Sequence, residues 1–145
     1  MRTVRDLLNT KGRQVHTIGA DASVFDALKL MADRNIGAVL VVDREDRLVG
    51  ILSERDYARK VVLHGHSSRE TPVSAIMTGS VICIPAETTI DECMGLMTLR
   101  HVRHLPVTEN ERPVGLVSIG DIGRAMIENQ GFTISQLKRY IAGGR

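Results

Sequence analysis

An internal repeat is the feature that most constrains how this chain folds. Residues 18–42 align with residues 84–108 without a gap, at a constant offset of 66 positions. Self-similarity at a fixed period is the signature of folds built from repeated supersecondary units. The identical pairs are Ile18/Ile84, Ala20/Ala86, Leu30/Leu96, Met31/Met97, Arg34/Arg100 and Val41/Val107.

A second stretch extends the repeat at a slightly different offset. Residues 47–59 match residues 112–124 at an offset of 65 positions. The one-residue change falls between the two stretches, in DREDR against TENER, where a loop absorbs it most easily. The chain therefore contains two copies of one unit. The identical pairs here are Arg47/Arg112, Val49/Val114, Gly50/Gly115, Ser53/Ser118, Asp56/Asp121 and Arg59/Arg124.

Each copy carries the pattern of an amphipathic helix. Ser23 and Asp26 have the spacing of a capping box, and Thr89 and Glu92 repeat that spacing in the second copy. The apolar residues that follow recur at i, i+3, i+4 and i+7, which predicts a helix with one buried face. They are Val24, Ala27, Leu28 and Met31 in one copy and Ile90, Cys93, Met94 and Met97 in the other.

The remainder of each copy predicts strands and a second helix. A short strand is expected before the first helix, over residues 15–18 and again over 81–84. The apolar, β-branched run 38–42 predicts a strand covered on both faces, and its closeness to residues 48–52 predicts an antiparallel hairpin. A second helix is expected to start at Ser53 and, in the other copy, at Ser118. The predicted fold class is therefore α/β (α+β), with two β-α-β-β-α repeats and short flanking helices.

The repeat also divides the chain into segments. Thr71 and Pro72 predict the N-cap and first residue of one helical turn in the linker. Flanking helices are expected over residues 3–8 and 135–141, and the second could cover either the core or a partner subunit. The predicted segments are 1–62 for the N-terminal helix and first repeat, 63–80 for the linker, 81–126 for the second repeat and 127–145 for the C-terminal helix.

Charge and hydropathy argue against two classes of partner. The formal net charge is +2, and basic residues stand beside acidic ones, which is typical of a solvated surface and not of a nucleic-acid-binding stripe. No apolar run approaches the ~20 residues of a membrane span, and we expect no signal peptide. We therefore expect a cytoplasmic protein that binds neither nucleic acid nor membrane.

The sequence offers little for catalysis or metal binding. It contains no H-E-x-x-H motif and no phosphate-cradling glycine loop, so no catalytic residues and no metal site are predicted. His64 and His66 could bind a metal weakly, although a solvated loop is the simpler interpretation. Cys83 and Cys93 lack metal-type spacing, and we expect reduced core residues, with a disulfide or redox-sensing pair as the alternative.

Three segments carry a resemblance to a known family. GILSERD at 50–56 and GLVSIGD at 115–121 resemble the end of a CBS domain, and so does RHLPV at 103–107, where the second hairpin is expected. Over residues 15–126 the pair resembles a Bateman module, of the small stand-alone bacterial type. The resemblance implies pseudo-twofold packing of the two repeats and two clefts between them.

The resemblance also implies a function. Each cleft could hold an adenosine derivative (AMP, ADP, ATP, NAD or S-adenosylmethionine), as a regulatory ligand rather than a catalytic cofactor. It further implies a homodimer of such pairs that signals to an unidentified regulated protein. The alternative is a ligand-free protein–protein interaction module.

Ribose is the part of an adenosine ligand that the signature suits best. One carboxylate can accept hydrogen bonds from both ribose hydroxyls, and charge-assisted bonds are the stronger kind. By resemblance, Asp56 and Asp121 bind the ribose, supported by Ser53 and Ser118. The alternative is helix capping, because the S-x-x-D spacing also forms capping boxes.

Phosphate and adenine add further candidates. Arg103 and His104 occur only in the second copy, where the first has Gly37 and Ala38, so the two clefts are expected to differ. By resemblance, His104 faces the Asp121 cleft and Arg103 leans toward the Asp56 cleft. Further phosphate candidates are Arg55, Arg59 and Arg124.

An apolar slot is expected for adenine, although each of its candidates could equally be plain core. Thr17, Ile18 and Ala20 are assigned to the Asp121 cleft. Met77, Val81, Ile84 and Ala86 are assigned to the Asp56 cleft. Ile51 and Leu116 are expected to pack on the base from the signature strands.

Overall fold

The structure is a computed structural model that describes residues 2–12, 14–129 and 138. The β-α-β-β-α order predicted for each copy is complete in the first repeat. The C-terminal helix predicted over 135–141 lies outside the described residues, apart from Lys138. In chain order the elements are α1 Val4–Lys11, β1 Thr17–Gly19, α2 Val24–Arg34, β2 Ala38–Val42, β3 Leu48–Ser53, α3 Glu54–Tyr57, a π-helical turn Ala58–Val62, α4 Val73–Ile76, α5 Ile90–Arg100, β4 His104–Glu109, β5 Arg112–Ser118 and α6 Ile119–Asn129.

The first repeat forms a three-stranded sheet in the order β1-β2-β3. Strand β1 runs parallel to β2, and β2 pairs antiparallel with β3 as the predicted hairpin. Every residue of β2 is buried, which confirms a strand covered on both faces. The pairing is interrupted by a register shift between Val41 and Val42, and the second hairpin has the equivalent shift between Val107 and Thr108.

The second repeat lacks one predicted strand. Strands β4 and β5 form the expected hairpin, but residues 81–84 make a single parallel bridge, between Ile84 and Val107. The strand prediction for 81–84 is therefore wrong. The cause is Pro106: its counterpart Leu40 donates its N–H to the carbonyl of His16, and proline has no N–H to donate.

The helices begin much as their sequences predict. In α5 the capping box of Thr89 and Glu92 is complete, with both reciprocal bonds formed. In α2 only the bond from the Asp26 N–H to the Ser23 hydroxyl is present, so the predicted box is half formed. Pro72 is the N-cap of α4 rather than its first residue, because the helix starts at Val73.

Each repeat has its own apolar core, and one of the short helices, α1, packs on the repeat that it does not adjoin in the chain. Helix α4, which follows the first repeat, packs Val73 and Ile76 into the core of that repeat. Helix α1 precedes the first repeat in the chain but packs Val4, Leu7 and Leu8 into the core of the second. The two ends of the pair are thereby tied together, because the N-terminal helix completes the C-terminal half.

The two cysteines differ in environment. Cys93 is fully buried in the core of the second repeat, as expected. Cys83 is exposed, so its assignment to the core is wrong, and both thiols are free. Among the described residues, no helix combines the length and apolar character needed to cross a membrane.

Candidate functional site

In the part of the chain that the structure describes, two of the grooves between the repeats are lined by signature residues. The first, here called the Asp56 groove, has a volume of about 370 Å³. It combines the signature of the first repeat with the basic pair of the second. Its walls are Gly37, Ile51, Ser53, Glu54, Arg55, Asp56, Thr78, Ser80, Val81, Ile82, His101, Val102, Arg103 and His104.

The second groove, here called the Ser118 groove, has a volume of about 480 Å³. It contains the signature serine of the second repeat but not its aspartate. Asp121 instead lines a separate, smaller pocket of about 160 Å³ beside Lys11 and Arg124. The walls of the Ser118 groove are Lys11, Gly12, Gln14, His16, Ile36, Gly37, Ala38, His104, Leu116 and Ser118.

A capping box holds Asp56 through one of its two carboxylate oxygens. Its Oδ2 accepts bonds from the Ser53 N–H at 3.0 Å and the Ser53 hydroxyl at 3.1 Å. Its Oδ1 has a long ion pair, 3.5 Å from Lys60 Nζ. The predicted capping role is therefore present, and it leaves Oδ1 without a short bond in the part of the chain that the structure describes.

Asp121 is held much more tightly. Its Oδ2 accepts bonds from Lys11 Nζ at 2.6 Å and from the Ser118 N–H at 2.9 Å. Its Oδ1 accepts a bond from Arg124 Nη2 at 2.6 Å. The side chain is 6% exposed, against 17% for Asp56. Both oxygens of Asp121 are therefore occupied by groups of the protein itself.

The surroundings of Asp121 stabilise its charged form. Burial acts to raise the pKa of this carboxyl, but the hydrogen bonds from Lys11 and Ser118 outweigh it, so the pKa lies below its ordinary value. Asp121 therefore stays ionised at neutral pH.

The basic pair stands at the start of β4, between the two grooves. Arg103 lines the Asp56 groove, and His104 lines both grooves. The carbonyl of Arg103 accepts the Ile119 N–H at 2.9 Å, just as the carbonyl of Gly37 accepts the Glu54 N–H at 3.0 Å. Equivalent backbone positions thus meet equivalent signature helices, and only the second repeat places an arginine and a histidine there.

His104 is half-buried between these groups. Burial lowers the pKa of its imidazole, and the positive charge of Lys11 lowers it further, while Asp121 acts in the opposite direction. The imidazole is therefore neutral at physiological pH, so it can offer one ring N–H donor and one ring nitrogen acceptor.

The other phosphate candidates are separated by the fold. Arg55 lines the Asp56 groove beside Asp56. Arg59 is exposed in the π-helical turn and lines neither groove. Arg124 forms an ion pair with Asp121.

The adenine candidates divide in the same way. Ile51 and Val81 line the Asp56 groove, and Leu116 lines the Ser118 groove. The other six line neither groove: Ile84 and Ala86 are buried in the second core, Ile18, Ala20 and Met77 pack on the first core, and Thr17 is exposed on β1.

Sequence reasoning missed several groove residues. Thr78, Ser80, Ile82, His101 and Val102 line the Asp56 groove. Val102 and His101 stand directly before the basic pair and could have been found from that proximity. Lys11 and Gln14 line the Ser118 groove but lie outside the repeat, so no repeat-based signal points to them.

Metal binding finds no support among the described residues. No group of three or more His, Cys, Asp or Glu side chains could hold a metal ion there. The rings of His64 and His66 stack with centroids 6.2 Å apart. Stacking of two exposed rings fits the solvated loop expected from the sequence.

Comparison with protein families finds one match. The family model for the CBS domain matches residues 4–63 and again residues 73–128. These two matches include both hairpins, both signature helices and the helices α1 and α4.

Relatives and solved structures agree with this match. The mitochondrial CBS domain-containing protein CBSX3 of Arabidopsis thaliana is 37% identical over 98% of this chain and 73% of its own length. CBSCBSPB1 of the same plant is 36% identical over 81% of this chain, which spans only 21% of that relative. The solved CBS-domain protein of Burkholderia ambifaria is 47% identical, with a TM-score of 0.83 over 91% of this chain and 98% of the other.

Proposed function

This chain belongs to the CBS-domain family and carries two CBS domains in tandem, and we propose that it is a regulatory module that binds an adenine nucleotide in the Asp56 groove. CBS pairs are regulatory modules rather than catalysts, and ligand binding is typical of their fold. We propose AMP, ATP or NAD as the most suitable ligands, and a partner protein as the recipient of the signal.

The carboxylate of Asp56 suits the ribose. Among the described residues its Oδ1 has only a long ion pair, with Lys60 at 3.5 Å, so it can accept bonds from the neighbouring 2′ and 3′ hydroxyls. Ser53 holds the other oxygen through two bonds, which fixes the orientation of the carboxylate. A carboxylate positioned before the ligand arrives loses little conformational entropy when it binds.

The ends of the groove suit phosphate and base. Arg55 and Arg103 approach it from opposite repeats, and two guanidinium groups can pair with a phosphate through parallel hydrogen bonds. Apolar side chains that could sandwich adenine stand at Ile51, Val81 and Val102.

A single observation carries this proposal: one groove brings together Asp56 of the first signature and Arg103 of the second repeat. Neither repeat alone supplies both a ribose acceptor and two cations at this place. A nucleotide that spans the groove would therefore bind the paired repeats better than either separate half, which is how a ligand biases the arrangement of two domains.

The proposal is tested by thermal unfolding of the full chain with AMP, ATP, NAD or S-adenosylmethionine. A ligand that binds only the native state stabilises it by about 2.7 kcal/mol at a hundredfold excess over its Kd. We expect at least one of the four to raise the melting temperature, and Asp56→Asn to abolish that rise.

A matched control comes from the first helix of the same repeat. Asp26 stands in the first turn of α2 as Asp56 does in α3, but its side chain is exposed and lines neither groove. Asp26→Asn should therefore leave the ligand-induced rise intact. No rise with any of the four compounds would favour the second candidate function, a ligand-free interaction module.

We further propose that the chain forms a homodimer. Four large apolar side chains are exposed in the described residues, namely Val62, Leu63, Leu99 and Ile119. Burying them against a second copy would remove apolar surface from water. Light scattering should give twice the 15.9 kDa mass of one chain, and Leu99→Glu should lower it if Leu99 lies in the contact.

A further inference from the structure

Lys11, the last residue of α1, reaches into the signature of the second repeat. Its Nζ donates to Asp121 Oδ2 at 2.6 Å and to the carbonyl of Leu116 at 2.8 Å. Asp121 supplies the carboxylate that would bind a ribose. Leu116 supplies a backbone carbonyl in β5, the strand that precedes the signature helix. The ammonium group therefore occupies hydrogen-bonding positions that a nucleotide bound at Asp121 would use.

The backbone holds Lys11 at this place. Leu8 of the same helix is buried against Gly115, and the Val4 N–H bonds the carbonyl of Thr88 at 2.8 Å. The helix ends at Gly12, whose N–H returns to the carbonyl of Leu8 at 2.8 Å with φ 105°, a value that glycine adopts readily. Lys11 is thus the end of a firmly attached helix and not a freely moving surface side chain.

Among the described residues, no lysine holds the corresponding strand edge and the Asp56 carboxylate of the first repeat through two short bonds. Ile51, the counterpart of Leu116, exchanges two backbone bonds with Thr78, at 2.9 and 3.0 Å. Those bonds pair the backbone of Ile51 with another backbone segment, so they bring no cation to Asp56. Lys60 is nearest to Asp56, at 3.5 Å, and its short bond of 2.9 Å goes to the carbonyl of Ile76 instead.

We infer that Lys11 acts as an internal occupant of the second nucleotide site, so that this chain binds one nucleotide, in the Asp56 groove, and none at Asp121. The inference rests on the proposed function. Arg124 reinforces it by holding the other oxygen of Asp121 at 2.6 Å. A ribose that approached Asp121 would have to displace a bound ammonium group, and charged hydrogen bonds are costly to leave unmade.

The test counts bound nucleotides in the full chain. Lys11→Met keeps the length and helix propensity of the side chain but removes its charge. Equilibrium dialysis with AMP should give one site per unaltered chain and a second site per Lys11→Met chain, with affinity at Asp121 raised at least about tenfold. Adding Asp121→Asn to Lys11→Met should return the count to one.

Lys29→Met is the matched control. Lys29 is an exposed helical lysine of α2 that pairs with no residue in the part of the chain that the structure describes. Its removal changes the net charge equally and should leave one site. Circular dichroism of each variant checks that helices are retained.

The remaining outcomes are decisive. Two sites in the unaltered chain, or one site in both the unaltered and the Lys11→Met chains, would overturn the inference and leave the proposed function standing. Binding of AMP by neither chain would also overturn it. The proposed function itself fails only if ATP, NAD and S-adenosylmethionine leave the melting temperature unchanged as well.

Discussion

Gly50 of strand β3 lies so close to Thr78 that a Cβ built at position 50 would be 2.9 Å from the Thr78 carbonyl oxygen. That carbonyl cannot retreat easily, because Thr78 exchanges two backbone bonds with the neighbouring Ile51. The glycine that begins the first signature is therefore a packing requirement of the α4 segment. Its counterpart Gly115 faces the tip of the Leu8 side chain instead, at 2.8 Å from the built Cβ.

Gly50→Ala should destabilise the protein by about 1–3 kcal/mol, the usual cost of overpacking a tight interior. Gly115→Ala should cost less, because a leucine methyl group can move where a paired backbone carbonyl cannot. Gly95→Ala is the control: it lies within helix α5, has no atom within 4 Å of the built Cβ, and should stabilise by about 0.5–1 kcal/mol. Urea unfolding measures all three, and equal losses at positions 50 and 95 would contradict the packing argument.

The repeat predicted most of the fold because a pattern found in one copy could be checked at the equivalent positions of the other. The helices α2 and α5, both hairpins and both signature helices occur at equivalent positions. The error over residues 81–84 had a visible cause, since Pro106 stands where the ladder needs an N–H. No sequence pattern predicted that α1 packs on the second repeat, because Val4 and Leu8 contact residues that are far from them in the sequence.

Part of the candidate site could also be predicted from the repeat and the family resemblance. Asp56 and Arg103 lie in one groove, as the resemblance implies. Asp56 and Asp121 occupy equivalent positions of the repeat, but their hydrogen-bond partners in the structure differ. One cause of the difference is Lys11, which lies outside the aligned segments, so comparison of the two copies could not reveal its contact with Asp121.

The two thiols should react very differently. Burial raises the pKa of Cys93 to about 11, and it also raises the pKa of Cys83, but the Cys83 side chain is exposed to a reagent whereas Cys93 is buried. A thiol reagent at neutral pH should therefore modify one cysteine in the native protein and two in denaturant, since the thiolate is the reactive form. Cys83→Ser should abolish the native reaction. Modification of both residues at equal rates in the native state would contradict this burial.

The same raised pKa predicts weakening of the fold at alkaline pH. The ordinary pKa of the thiol is 9.0, and the folded-state value is about 11. Between these values the unfolded chain loses the proton of Cys93 while the native chain keeps it, so stability falls as pH rises through this window. Cys93→Ala should flatten the alkaline slope measured by urea unfolding. Cys83→Ser, measured alongside, should flatten it less.

His104 should make the fold sensitive to mild acid. Its pKa is lowered by burial and by Lys11 and Arg103, against the opposing charge of Asp121. The unfolded chain therefore takes up this proton first, and stability present above the ordinary pKa of 6.5 is lost as pH falls. His104→Gln should reduce the loss between about pH 7 and pH 5. Identical slopes in the variant and the unaltered protein would contradict the burial of His104.

Removing the charge of Asp121 should cost more stability than removing that of Asp56. Asp121→Asn leaves Lys11 and Arg124 without their carboxylate, and we expect a loss of about 1–3 kcal/mol at pH 7, reduced from that of a fully buried pair because both cations are partly exposed. Asp56→Asn keeps a capping acceptor and loses only a long ion pair, so we expect about 0.5–1 kcal/mol. Urea unfolding at pH 7 compares the two.

The pH dependence of that loss tests its electrostatic origin. Because the pKa of Asp121 is lowered in the folded state, its contribution is present above the ordinary value of 3.8 and disappears as pH falls through the folded pKa. The stability of the Asp121→Asn variant should therefore approach that of the unaltered chain in acid. Lys11→Met should show a similar convergence, because it removes one of the two cations that hold the carboxylate. A gap that stays constant from pH 7 into acid would mean that the Asp121→Asn substitution disturbs packing alone, and that the ammonium of Lys11 does not hold Asp121 in the way the 2.6 Å contact indicates.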